Sequence, residues 1–262
     1  MKILFIGDIF AKQGVLTVQK GLSKLKNEIR WDYCIANGEN AAAGKGINGR
    51  IASELYDMGV DGITLGNHVW ARDEILYSID SDPYMARPAN YSKQSPGRGR
   101  FILDGKAGPL AVINLSGRVY MQPCNCPFET CEEELPKIKE ITKSVLVDFH
   151  GEATSEKCAF AWHFDGRVSA VAGTHTHVQT ADERILPFGT AFITDVGMTG
   201  PGEGILGTDR DSSISRFVTG MPVKFSPQKG EMIFNGAHIE IDDKTGKALR
   251  INRLNFTLRL DD

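Results

Sequence analysis

Met1-Lys-Ile-Leu-Phe-Ile-Gly-Asp8, Tyr33-Cys-Ile-Ala-Asn-Gly-Glu39-Asn40 and Gly62-Ile-Thr-Leu-Gly-Asn67-His68 decide the fold. Each is a short apolar run, rich in β-branched and other strand-forming residues, that stops at a glycine and a polar side chain. Between them lie longer stretches with apolar residues at helical spacing, Val15–Ile29 and Gly49–Met58, and a third follows at Asp73–Ile79. Strand–helix alternation of this kind predicts βαβ units and a mostly parallel sheet. The predicted strands are Ile3–Ile6, Asp32–Ala36 and Gly62–Leu65.

Further along, the pattern changes. Phe101–Leu103 and Leu110–Asn114 flank the turn-rich Asp104-Gly-Lys-Ala-Gly-Pro109 and read as a hairpin. A helix is expected near Phe128–Ile141, then strands at Val145–Phe149, Val168–Ala172 and Ala191–Thr194. The last forty residues read as an antiparallel meander of Pro222–Lys224, Met232–Ile241 and Leu249–Leu258, with a turn at Asp242–Gly246. No repeat or linker interrupts the chain. The expectation is a single domain over residues 1–262, a layered α/β sandwich with mixed sheets.

Composition agrees with a folded chain. Of 262 residues, 41% are hydrophobic, and 30 Lys+Arg against 33 Asp+Glu leave a net charge of −3. That balance offers no basic field for tight nucleic-acid binding. The first apolar run ends at Gly7-Asp8, too early for a secretory signal, and no stretch is long enough to span a membrane. Five cysteines without such a signal point to reduced thiols and a cytoplasmic location.

Two further strands, Val145–Phe149 and Val168–Ala172, also run into metal-type side chains, His150 and His175-Thr-His177. Ligands in open α/β sheets bind beyond the carboxyl ends of the strands, so one shared edge would gather Asp8, Glu39, Asn40, Asn67, His68, His150, His175 and His177. Taken singly, Asp8 could cap a helix, Asn67-His68 could form a turn, and the histidines could be ordinary core or surface residues. Four of six histidines at strand ends make coincidence a poor account of the set. Imidazole with carboxylate and amide oxygen suits iron, manganese or zinc, and eight candidates are too many for one ion. Paired ions are the standard device for hydrolysing phosphate esters.

In order and spacing, Asp8, Gly38-Glu39-Asn40, Gly66-Asn67-His68, His150 and Gly173-Thr-His175-Thr-His177 resemble the motif blocks of the calcineurin-like metallophosphoesterases. Asn37-Gly-Glu-Asn-Ala-Ala, Asp148-Phe-His-Gly-Glu-Ala-Thr-Ser-Glu-Lys157, Gly173–Asp182 and Thr194-Asp-Val-Gly-Met-Thr-Gly-Pro201 resemble the bacterial YmdB-type subfamily of 2′,3′-cyclic-nucleotide 2′-phosphodiesterases. The resemblance extends from residue 1 to about residue 210 and is looser in the C-terminal strands. It implies an α/β/β/α sandwich and two metal ions, iron first and manganese next. The first ion would be held by Asp8, Glu39, Asn40 and His177, the second by Glu39, Asn67, His150 and His175. A hydroxide shared by the ions would attack phosphorus and His68 would protonate the leaving ribose oxygen, opening the 2′ ester of a small cyclic nucleotide. Two positions depart from the superfamily pattern. Phe10 stands where Asp-x-His has its histidine, and Glu39 stands where the bridging residue is usually Asp, so Asn40 is expected to supply an oxygen in place of the missing imidazole.

Other readings are weaker. Gly38–Gly46 is glycine-rich after a strand, but it has five residues between Gly38 and Gly44, and Gly46 after Lys45, where a P-loop needs four and then Ser or Thr. Lys45 then meets either phosphate or solvent. Cys124, Cys126 and Cys131 lack a fourth zinc ligand apart from Cys158 or a histidine already assigned, and read as incidental thiols. His163 and His238 read as structural. The glycine-rich loop at Thr194–Gly202 either shapes the pocket or simply turns, and Arg87 and Arg118 are further candidates for phosphate contact. A protein that keeps the metal site but acts through a partner surface is the alternative to an enzyme, and a homo-oligomer is compatible with either.

Overall fold

A computed structural model describes residues 1–260. The first half of the chain runs β1 (Lys2–Ile6), β2 (Asp8–Ile9), α1 (Ala11–Leu25), β3 (Tyr33–Asn37), α2 (Gly49–Asp57), β4 (Gly62–Thr64), a 3-10 helix (Asp73–Tyr77) and β5 (Met85–Ala86). There follow β6 (Arg100–Leu103), β7 (Leu110–Ser116), α3 (Pro127–Lys139), β8 (Val145–His150), α4 (Thr154–His163) and β9 (Ala170–Thr174). The remaining elements are β10 (Arg184–Ile185), β11 (Ala191–Ile193), β12 (Met198–Pro201), α5 (Arg210–Thr219), β13 (Met232–Ile241) and β14 (Ala248–Leu258).

Two mixed sheets result. In the first, β1, β3, β4 and β5 are parallel neighbours, and the long β13 closes antiparallel on β1, with Ile3 opposite Ile239. The remainder of that β13 edge pairs with β12, which in turn holds the short β2, while β14 lies along β13's other side. The second sheet has the order β10-β11-β9-β8-β7-β6, parallel from β11 to β7 and antiparallel at both edges.

Strand alternation sets the layers, because successive side chains point to opposite faces. Ile3, Phe5 and Ile35 meet Val112, Leu146 and Ala170 between the sheets. Leu4, Ile6 and Cys34 face outward, where Val15, Val18 and Leu22 of α1 and Leu55 of α2 cover them. On the far side Ile113, Val145 and Val147 pack under Leu135 and Ile138 of α3 and Phe160 of α4. The architecture is the expected α/β/β/α sandwich of the calcineurin-like phosphatases.

The structure corrects several boundaries. The first helix begins at Ala11 rather than Val15, and Asp73–Tyr77 forms 3-10 turns in place of an α-helix. Pro222–Lys224 pairs with no strand. Two helices escape the periodicity argument. In α4 the buried residues include Lys157, which breaks the apolar stripe. In α5 only Ser213 is buried, and the helix is held at its ends by Asp209, which accepts from the Ser212 amide at 2.9 Å, and by the left-handed Gly220. No helix among the described residues is long and apolar enough to cross a membrane.

Candidate metal centre

The parallel strands β1, β3, β4, β8 and β9 all end toward one edge, and their next residues converge there. Glu39, buried just past β3, is the hub. Its Oε1 lies 3.1 Å from His150 Nε2 and 3.4 Å from His68 Nδ1, and accepts from Asn40 Nδ2 at 3.0 Å. Its Oε2 accepts from the His68 amide at 3.0 Å. Around His150 Nε2 also stand Asn67 Oδ1 at 2.9 Å and His175 Nδ1 at 3.1 Å. On the other flank Asn40 Nδ2 is 3.1 Å from His177 Nε2, and that nitrogen is 3.9 Å from Asp8 Oδ1. All eight residues singled out from the sequence are therefore linked in one cluster.

The donor set suits cations. A single proton on His150 Nε2 faces a carboxylate oxygen, an amide oxygen and a second imidazole nitrogen, and cannot serve all three well. One cation among them can. The ligand atoms of Glu39, His150 and His175 lie within 4.8 Å of one another, close enough to share an ion. Asp8 Oδ1 is buried without a hydrogen-bond partner, an expensive state for a carboxylate unless a cation meets it.

Titration behaviour in the metal-free protein follows from the same contacts. Burial pushes Asp8 up to about 6 despite the nearby His177 and His150. For Glu39 burial also disfavours charge, but His150 and His68 outweigh it and hold the carboxyl well below its usual range. His150 shows the converse: burial opposes its charge, and Glu39 raises it to about 9. Burial and the neighbouring His150 push His175 down to about 3. One buried imidazolium thus takes the place of cationic charge when no metal is bound.

Backbone geometry is specialised where the ligands stand. A Cβ on Gly66 would lie 2.4 Å from both Glu39 Oε2 and His150 Nε2, so only glycine lets β4's extension pass this close. His175 and His177 have φ of 100° and 66°, a region that costs a non-glycine residue about 1–3 kcal/mol. A buried ion pair holds that bend. Lys157 Nζ donates to Thr174 O and to Asp195 Oδ2, both at 2.8 Å. The same Asp195 oxygen accepts from the Thr176 amide at 3.1 Å and from Thr176 Oγ1 at 2.8 Å. The residues on either side of His175 are thereby clamped.

Beneath His150, Nδ1 lies 2.9 Å from Thr174 Oγ1, and that hydroxyl donates to the buried Asp148 at 2.6 Å. Glu152 reaches His175 Nε2 at 3.1 Å. Glu152, Lys157, Thr174 and Asp195 were not singled out from the sequence. Glu152 and Lys157 sit in the Asp148–Lys157 run and Asp195 in the Thr194–Gly202 loop, so the motif runs carried the only available signal.

Other positions are reassigned. Phe10, in the place of a superfamily histidine, sets its ring edge-on to His177 with centroids 5.8 Å apart. Arg87 is not a phosphate contact: its guanidinium is buried on the carbonyls of Pro96, Pro88 and Ser95, where it ties a loop. Arg118 lies outside the cleft, its amide bonded to Glu156. Lys45 does line the cleft, as does Arg72, which also binds the Lys45 and Ala42 carbonyls. All five cysteines are free, and Cys131 is buried in the α3 core. His163 pairs with Glu132, and His238 with the Arg30 carbonyl. The cleft above the cluster has a volume of about 690 Å³ and is lined by Glu39, Asn40, His68, His175 and His177 together with the segment around α5.

Comparison with known proteins agrees with this geometry. The YmdB-like protein family profile matches residues 4–254. The 2′,3′-cyclic-nucleotide 2′-phosphodiesterase of Bacillus subtilis (strain 168) is 49% identical over 254 residues, covering 97% of this chain and 96% of its own. A crystal structure described as a novel phosphatase of Mycoplasma pneumoniae superposes with a TM-score of 0.92 at 34% identity, covering 98% of this chain and 93% of that one. A hypothetical protein of Thermus thermophilus superposes with a TM-score of 0.91 at 39% identity, covering 98% and 99%. Because the family profile spans nearly the whole chain and the B. subtilis relative is matched over almost its full length, the chain belongs to the YmdB-like family of metallophosphoesterases.

Proposed function

We propose that this protein is a single-domain, dinuclear-metal phosphodiesterase that opens the 2′ ester of 2′,3′-cyclic nucleotides and leaves the 3′-phosphate. The observation that carries the reading is Glu39, whose carboxylate reaches both the His150–Asn67–His175 group and the Asn40–His177–Asp8 group. The name of the B. subtilis relative supports the choice of bond. Asp8, Glu39, Asn40 and His177 are assigned to one ion, and Glu39, Asn67, His150 and His175 to the other. Oxygen and imidazole donors without thiolate suit iron, manganese or zinc, and the family resemblance orders them iron first, then manganese. When bound, such ions supply charge neutralisation for the phosphoryl oxygens and acidify a water nucleophile.

The chain's own residues do the rest. His68 is 3.0 Å from Asn40 Oδ1 through Nδ1, so Nε2 is the ring nitrogen left for the cleft. There it protonates the leaving 2′ oxygen as general acid. The Lys157–Asp195 clamp fixes where His175 and His177 stand, and Thr174 with Asp148 orients His150. The five free thiols fit work in the reducing cytoplasm.

The deciding experiment is metal quantification of natively purified protein, followed by turnover of a phosphodiester panel with product identification. Two ions per chain and 3′-phosphate product are expected. A metal-loaded protein inert toward every diester, or one giving 2′-phosphates, refutes the proposal.

A further inference from the structure

The cleft holding the metal cluster is also lined by Leu206, Phe217 and Phe225, contributed by α5 and its flanking loops. Phe217 is 83% exposed and Phe225 40%, so two large rings stand in solvent at the wall of the cleft. The wall adjoins the site directly, since the Leu206 carbonyl lies 3.3 Å from His177 Nδ1. The Arg216 guanidinium sits over the Phe225 ring, 5.3 Å from its centroid. Two of the nearby hydroxyls are already used: Thr208 Oγ1 donates to Ile205 O at 2.6 Å and pairs with Ser213 Oγ at 2.7 Å. What this wall presents is therefore mainly flat aromatic and apolar surface, with the Arg216 guanidinium and the Ser226 hydroxyl as its polar groups.

Resting on the phosphodiesterase reading, we propose that Leu206, Phe217 and Phe225 form a nucleobase subsite that holds the substrate's base by stacking while its phosphate meets the metal ions. A flat heteroaromatic ring, otherwise left in water, finds its match on exposed phenyl faces. Because every base has a π-face, a subsite built on stacking is tolerant of base identity and favours purines through their larger area.

The test compares 2′,3′-cyclic AMP with base-free ribose 2′,3′-cyclic phosphate, which presents the same scissile ester. Wild-type protein is expected to show the lower KM for the nucleotide. Phe217→Ala and Phe225→Ala should each raise the nucleotide KM, relative to the base-free substrate, by roughly tenfold, the scale of one base–aromatic stack. Calorimetric binding of 3′-AMP against ribose 3-phosphate reads the wall without turnover. If wild-type protein turns over neither cyclic phosphate yet binds 3′-AMP more tightly than ribose 3-phosphate, the phosphodiesterase reading fails and the subsite stands. Equal binding of the two ligands, or a KM ratio that neither substitution moves, overturns the subsite. An unmoved ratio accompanied by dissociation of an oligomer in Phe217→Ala also overturns it and assigns the wall to a contact between copies of the chain.

Discussion

Replacing Lys157 with methionine removes one charge from a pair that is buried on both sides, with side-chain exposures of 0% and 1%. Methionine keeps the length and most of the volume, so cavity formation contributes little. The cost comes from stranding the Asp195 carboxylate in the interior and leaving the Thr174 carbonyl without its Lys donor. Breaking a buried pair in this way costs about 3–5 kcal/mol, or about 6–20 °C in Tm for a chain of this size. A second effect is local. His175 and His177 are held at positive φ by this clamp, and its loss lets the bend relax away from the ligand positions. Metal affinity should fall by roughly 10–100-fold, as it does when groups that orient ligands are lost. Thermal unfolding of the metal-free protein reads the first effect, and calorimetric titration with Mn²⁺ reads the second. Lys157→Met/Asp195→Asn separates them: with no stranded charge it should recover most of the Tm, yet it should still bind Mn²⁺ weakly because the Thr174 carbonyl still lacks its Lys157 donor. Wild-type Mn²⁺ affinity in both variants would refute the clamp, whatever happens to Tm.

Other perturbations bear on the same site. His68→Ala should keep its metal content and lose about 10²–10⁴-fold in kcat on 2′,3′-cyclic AMP; metal analysis beside turnover decides it, and unchanged turnover removes His68 from the chemistry. Glu39→Ala should lower the occupancy of both ions, and retention of two tightly held ions by elemental analysis would rule out a shared ligand. Gly66→Ala should fold but load metal poorly, because the new methyl group would lie 2.4 Å from Glu39 Oε2 and His150 Nε2; a normal metal content contradicts the close approach. In the metal-free protein His150 is raised to about 9, so its pairing with Glu39 stabilises the fold fully below the unfolded value of about 6.5 and is lost as pH rises through 9. Metal-free Tm should therefore fall between pH 6.5 and 9 in wild type and not in His150→Gln.

Much of this arrangement can be read from particular residues. Ile3-Leu-Phe-Ile followed by Gly-Asp8 already specifies a strand buried on both faces with a polar residue past its end, since no amphipathic alternative fits four apolar residues in a row. Repetition of that pattern at Glu39, Asn67-His68, His150 and His175 then requires a shared edge, and the distances around His150 Nε2 and Asn40 Nδ2 agree. What was not legible depends on partners distant in sequence. Lys157 in α4 reads as a surface charge until Asp195, 38 positions away, is placed against it. Arg87 reads as a free cation until the Pro96 and Ser95 carbonyls close around it. α5 places Ile214, Phe217 and Val218 at helical spacing, yet all three stay exposed, so its apolar face is not packed into the core.

The sequence by itself determined the main strands and the covering helices α1 to α3, the layered α/β class and the identity of the residues at the strand ends, because strand and helix periods and the chemistry of metal-binding side chains are local properties. Only the tertiary structure decided how closely Glu39 approaches both groups of ligands, that Lys157 and Asp195 hold the strained histidine turn, and that Phe217 and Phe225 face the same cleft. Those relations are set by how two sheets pack face to face and by which buried charges find each other, and both depend on contacts between residues far apart in the chain.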